Sequence, residues 1–283
     1  MTTESKYSEI LHSAWIGRDF LLSNFLLTPS LRAFYSSQIK ESGFDPRFQI
    51  LWDYNKNRRF KLALGKYSKN PTPAQTDKDF GNPNLSFTQS NHYITGWEET
   101  WSQKWVSDIQ AYFKLTRDVV RSDQVLRYTN SGQLRSYGFE LFIRRNQTNR
   151  AFGWLSYTFS QTEERKKSSD KWTPAEFDQT HVLNLVANYK FTGKWSLGGR
   201  INYHTGDRFT PVESAVFNAN YGKYQPRYPE KDRYISRLPD YYQIDLYNVY
   251  DFLFEKWKLK LRTGVEYLSF TRPAFGVTYN YDF

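Results

Sequence analysis

The residues best equipped for chemistry in this sequence are few and scattered. Asp178, Thr180 and His181 fall together in FDQTH, which brings a carboxylate, a hydroxyl and an imidazole close along the chain. Such a set suggests acid–base work on the hydroxyl of Thr180. On an extended segment, however, adjacent side chains point to opposite faces, so Thr180 and His181 do not readily share a site. A structural role at the start of a strand is the better reading of Asp178 and His181. His12, His92 and His204 lack the spacing of a metal centre. Glu163 and Glu164 open a mixed charge run, EERKKSSDK, of the kind that makes a solvated surface. There is no phosphate-cradling glycine loop and no nucleophile elbow. The absence of cysteine removes thiol nucleophiles, zinc thiolates and disulfides together. No catalytic, cofactor-binding or metal-binding residue is assigned, and the chain is read as a non-enzyme.

Binding chemistry is better represented. The segment 207–239 carries Arg208, Tyr221, Tyr224, Arg227, Tyr228, Arg233 and Tyr234, a cationic and aromatic set suited to contacting an extracellular small-molecule ligand. The same side chains could equally pack on one another and order the segment. A net charge of +10 and 19% aromatic residues would also suit a single-strand nucleic-acid binder. The positive residues are spread over turns and polar strand faces rather than gathered in one stripe, so no nucleic-acid partner is expected.

The elements that must hold these residues are strands. Mean hydropathy is −0.75 and no apolar run approaches the ~18 residues of a spanning helix. A barrel strand escapes that test, because only alternate residues face lipid. Period-two patterning marks strands at 6–17, 24–36, 45–54, 58–68, 89–101, 104–117, 133–145, 150–162, 178–191, 194–206, 240–253 and 256–270, with 274–283 in question. Leu183, Leu185, Ala187, Tyr189 and Phe191 share one face of their strand; Trp195, Leu197, Gly199, Ile201 and Tyr203 do so on the next. Short turns (55–58, 102–104, 146–149, 192–194, 254–256) alternate with long connections (69–88, 118–132, 163–177, 207–239), as in outer-membrane barrels, whose long loops are extracellular.

Several segments, in order, are similar to the C-terminal barrel of TonB-dependent outer-membrane receptors. They are LTPSLRAFY (27–35), DPRFQILWDY (45–54), FKLALGKYSKNPTP (60–73), GNPNLSFTQSNHYITGWE (81–98), SYGFELFIRR (136–145), GWLSYTFSQTEE (153–164), FDQTHVLNLVANYKFTGKWSLGGRINYHTGDRFTPV (177–212) and LPDYYQIDLYNVY (238–250). The resemblance implies an all-β fold, an antiparallel transmembrane β-barrel, with about 12–13 strands here of an originally 22-stranded barrel. It also implies a plug domain and a TonB box, neither of which is recognisable in residues 1–283, read as a single barrel domain. The implied function is a bacterial outer-membrane receptor and transporter for a scarce nutrient, such as a siderophore–iron complex, cobalamin or a carbohydrate. The implied partners are outer-membrane lipid and lipopolysaccharide, an extracellular small-molecule ligand, and the TonB complex reached through a missing N-terminal part.

A passive porin, a barrel enzyme and a soluble aromatic-rich module are the competing readings. The beginning, MTTESKYSEILHSAWIGRDF, lacks a signal-peptide pattern, so the chain is expected to be the later part of a longer precursor. At the other end AFGVTYNYDF alternates to a terminal aromatic residue, as a closing strand does. Similar segments in relatives follow the penultimate strand and lead into more chain. Residues 274–283 are therefore read as the start of the last outer loop.

Overall fold

The computed structural model describes residues 10–148, 150–229, 233–266 and 272–281, the last of these as backbone. Thirteen strands form the main path of one antiparallel sheet in chain order, with the short segments Phe20–Leu22 and Thr173–Pro174 pairing off it. They are β1 (Leu11–Gly17), β2 (Phe25–Ser36), β3 (Glu41–Asn55), β4 (Arg58–Lys69), β5 (Thr88–Ser102), β6 (Trp105–Asp123), β7 (Arg127–Arg145), β8 (Ala151–Arg165), β9 (His181–Lys190), β10 (Trp195–His204), β11 (Tyr241–Leu253), β12 (Trp257–Glu266) and β13 (Arg272–Tyr281). Each long strand pairs with its neighbour in sequence, and among the described residues β1 and β13 do not pair with each other. The only helix among them is one turn, Pro73–Thr76, so none is long and apolar enough to cross a membrane.

Register fixes what each face carries, since residues directly opposite in adjacent strands share a face. Leu155, Leu185, Ile201 and Ile244 line up across β8 to β11 on one face. Ser156, Asn184, Asn202 and Gln243 line up on the other. On the polar face Lys61 of β4 bonds Glu98 and Asp108 at 2.6 Å each, and Arg200 pairs with Asp245. Toward the short turns the apolar face is aromatic: Phe25 stacks on Trp52 with ring centres 5.5 Å apart, Phe191 on Trp195 at 4.3 Å and Phe254 on Trp257 at 3.6 Å.

Among the described residues the sheet has no second layer. Its buried apolar side chains among the described residues are Phe34, Leu85, Phe87, Ala151 and Ala175, far too few for a sandwich core, while Leu, Phe, Tyr and Trp along the apolar face stand exposed. A soluble sandwich must cover that face; a membrane wall leaves it to lipid.

Three connections and the last segment differ from the sequence reading. The loop expected at 118–132 is a continuation of β6 and β7 that leaves only a turn at 124–126. Bulges between Thr116 and Val119 and between Val119 and Arg121 break the register there, with Asp118 at φ 57° and Arg127 at φ 62°. Beyond the apolar belt both faces meet water, so the alternation that marks a strand fades although pairing continues. β8 likewise runs on to Arg165, and Thr173–Pro174 pairs with Glu163 and Glu164. The segment 207–239 holds two short ladders, Arg208–Phe209 with Ser236–Arg237 and Ser214–Asn218 with Lys223–Arg227. Finally, Arg272–Tyr281 pairs along the whole of β12, from Trp257↔Tyr281 to Glu266↔Arg272, which corrects the reading of 274–283 as the start of an outer loop. Its backbone matches an alternating strand to an alternating partner, which outweighs the short connection that argued against it. Asp282 and Phe283 lie outside the described residues, as do 6–9 and 267–270 of the expected first and twelfth strands.

Candidate functional site

The seven arginines and tyrosines singled out in 207–239 separate into a root and a tip. Asp178 organises the root. Its side chain is 1% exposed, and its Oδ2 accepts from Arg208 Nε at 2.8 Å and from Arg237 Nη2. Oδ1 accepts from the backbone N–H of Thr162 at 2.8 Å. Arg237 also donates through Nη1 to the carbonyls of Asp178 and Gly206, 2.9 Å each, so it staples the start of β9 to the loop. A carboxylate this buried is stable only when paired and hydrogen-bonded, and here both conditions hold.

Tyr234 belongs to the same root. Its carbonyl accepts from Arg208 at 3.2 Å, its N–H donates to Thr210 Oγ1 at 3.1 Å, and its hydroxyl donates to Glu176 at 3.2 Å. Burial, then the Glu176 carboxylate, push the Tyr234 phenol above its ordinary value. At the neck Asp240 accepts from Tyr203 Oη at 2.7 Å and from the N–H of Gly206 at 3.0 Å, and these two bonds hold its carboxyl below the usual range. A side chain at Gly206 would place Cβ 1.9 Å from the Leu238 carbonyl oxygen, so the neck closes only around glycine.

The tip is the hairpin Ser214–Asn218/Lys223–Arg227, turned at Gly222 with φ +60°. Tyr221 and Tyr224 are 72% and 73% exposed; Tyr228, Phe217, Lys223 and Arg227 are exposed beside them. Phe217 and Tyr224 meet edge to face at 5.3 Å, which stiffens the hairpin without covering it. From Ser214 to Pro229 there are two cations and no carboxylate. Arg233 is exposed next to Tyr234. Arg208 and Tyr234 thus sit in the root, while Tyr221 lies at the turn of the hairpin, Tyr224 along it, and Arg227 and Tyr228 at its base.

Thr180 and His181 part company as the alternation implied: Thr180 Oγ1 donates to Asp178 Oδ2 at 3.3 Å, while His181 Nδ1 bonds Tyr157 Oη at 2.8 Å on the apolar face. No group of three metal-ligating side chains occurs among the described residues. Arg237, the second partner of Asp178, was missed in the sequence. Its one signal is a cation immediately before LPDYY, at the point where the strand pattern resumes.

The family model described as TonB dependent receptor-like, beta-barrel, matches residues 15–268. The chain belongs to this family. Its sheet is therefore part of an outer-membrane barrel wall: the apolar face meets lipid, the polar face lines the lumen, and the long connections stand on the extracellular rim. Solved TonB-dependent receptors share the fold. The ferric enterobactin receptor of Pseudomonas aeruginosa aligns with a TM-score of 0.68 at 14% identity, over 92% of this chain and 40% of that one. The ferripyoverdine receptor of the same organism gives 0.65 at 13%, over 95% and 37%. The outer-membrane transporter YddB of Escherichia coli gives 0.64 at 12%, over 96% and 44%. This chain thus spans less than half the length of these receptors. No curated protein matches it in sequence.

Proposed function

We propose that this chain supplies wall and capture loop to an importer of anionic iron chelates, energised through TonB by a part of the receptor outside residues 1–283. The observation that carries the reading is the hairpin, along which exposed Tyr221, Tyr224 and Tyr228 alternate in sequence with Lys223 and Arg227, with no carboxylate between Ser214 and Pro229. Aromatic faces give contact area at low conformational cost, and cations favour a negatively charged ligand over a neutral one. Arg208 and Tyr234 act as positioning residues for the tip, and Arg233 extends its cationic side. Relatives of this fold include receptors for ferric enterobactin and ferripyoverdine, which makes an iron–siderophore complex a better expectation than cobalamin or a carbohydrate.

The test is binding by the protein purified from outer membranes, titrated with ferric catecholate, ferric hydroxamate, cyanocobalamin and maltohexaose. Saturable binding of one ferric chelate, with energy-dependent uptake of that chelate by intact cells, is the expected result. Binding of cobalamin or oligosaccharide alone, or uptake unaffected by a protonophore, would overturn it.

A further inference from the structure

The lipid-facing side of the sheet carries a groove of about 620 Å³ across β8 to β11. Its floor is a cross-strand row of small residues, Gly153, Ala187 and Gly199, in register with one another. One wall is the row Leu155, Leu185, Ile201 and Ile244; the other is Tyr189 and Leu197. The floor row begins at Arg145, which pairs with Gly153, and ends at Leu246, which pairs with Gly199.

This row is inclined to the membrane. Arg145 is the last residue of β7, at the periplasmic end, whereas Leu246 lies well inside β11. The groove therefore descends from headgroup level into hydrocarbon. Its four strand-to-strand steps of ~4.8 Å span about 19 Å, enough to cross one leaflet of a ~30 Å hydrocarbon core on a slant.

The upper end is cationic. Arg145 holds its guanidinium 5.5 Å from the centre of the Trp105 ring, and its buried Nε has no hydrogen-bond partner. Lys104, Arg150 and Lys194 occupy the flanking turns, and turns 102–104, 146–150 and 192–194 contain no carboxylate. None of these four cations makes an ion pair among the described residues.

We propose that this groove binds one anionic phospholipid of the periplasmic leaflet, its phosphate at Arg145 and one acyl chain over Gly153, Ala187 and Gly199. An interfacial cation over an indole, with further cations around it, favours a net negative headgroup. The small-residue floor gives a chain a recess between walls of Leu, Ile and Tyr.

Native mass spectrometry of the protein purified from outer membranes, with phosphatidylglycerol or phosphatidylethanolamine added, reads the occupancy. The unaltered protein is expected to retain one phosphatidylglycerol about tenfold better than phosphatidylethanolamine. Arg145→Gln should erase that preference, and Ala187→Leu, which fills the floor from an exposed position, should lower retention of both lipids. Ala111→Leu, elsewhere on the lipid face, should change neither. Equal retention of the two lipids by the unaltered protein, or retention unmoved by both groove variants, would reduce the groove to ordinary annular contact and overturn the proposal. Heat-modifiable gel migration of every variant establishes that the barrel is folded before its lipids are counted.

Discussion

The connection 70–87 and the connection 205–240 stand on the same rim and use opposite solutions. The first folds back onto the lumen side of the wall. Leu85 and Phe87 are buried, with Phe87 edge-on to Phe34 at 4.8 Å. Asn82 donates to the Tyr128 carbonyl at 2.7 Å, and Ser86 and Asn130 exchange two bonds, of 2.8 and 3.0 Å, so the tall β6–β7 hairpin is tied in as well. The second connection buries only its root, around a carboxylate, and holds its aromatic tip out in water. A connection that spends its apolar residues on packing can brace a wall but has few left to offer a ligand. One fixed by charge at its base keeps its tyrosines free.

Variants at the two anchors separate these designs, and the largest effect belongs to Asp178. Asp178→Ala leaves Arg208 and Arg237 facing each other in a poorly solvated root, and removing one partner of such a network costs about 3 kcal/mol or more. Hydrogen exchange should show 205–240 opening by that amount while 70–87 keeps its protection; opening of both together would make the two regions one cooperative unit. Phe87→Ala comes next. It removes a buried ring and should cost about 3 kcal/mol locally, deprotecting 70–87 and the end of the β6–β7 hairpin and leaving ligand affinity unchanged. A loss of affinity would place 70–87 in the ligand path.

The contrast also shows what a sequence discloses. The wall was legible where alternation had a physical cause: Leu185 and Ile201 face lipid opposite each other, and Asn184 and Asn202 face the lumen. Where water lies on both sides, as along 117–133, the alternation loses its cause and the pairing became invisible. Leu85 and Phe87 did leave a trace, two apolar residues at period two just before β5. The root left almost none. Arg237 reaches Asp178 across 59 positions, and nothing in the spacing of an acid and a distant arginine announces that they meet. The seven candidates left out Phe217, Lys223 and Arg237 of the same loop, and only the structure divides the loop into residues that hold and residues that are held out.

The tip should respond in binding alone. Replacing Tyr221 and Tyr224 together by Ala removes two exposed rings, so stability should move by no more than about 0.5 kcal/mol. Affinity for the ferric chelate, read by fluorescence titration, should fall about tenfold or more, as for aromatic anchors of other interfaces. Unchanged affinity would move the capture surface away from the hairpin.

The smallest effect is confined to acid and tests whether the neck is electrostatic. The Asp240 carboxyl lies below its ordinary value because the Tyr203 hydroxyl and the Gly206 N–H donate to its charged form. A depressed value means that its contribution is fully present above the unfolded Asp value of about 3.9 and is lost as pH falls through the lower, folded one. Tyr234 has the opposite sign: its phenol, raised by burial, stays protonated to above about pH 10 and is silent in acid. The neck should therefore loosen only below about pH 4 and be flat from there through neutrality. Because the chain has no cysteine, a spin label on Ala219→Cys reports tip motion uniquely. Its mobility should rise in acid in the otherwise unaltered protein, while Asp240→Asn, which keeps an acceptor but cannot titrate, should flatten the rise. The same acid response in both proteins would transfer the transition to another group and leave the neck held by packing around Gly206 alone.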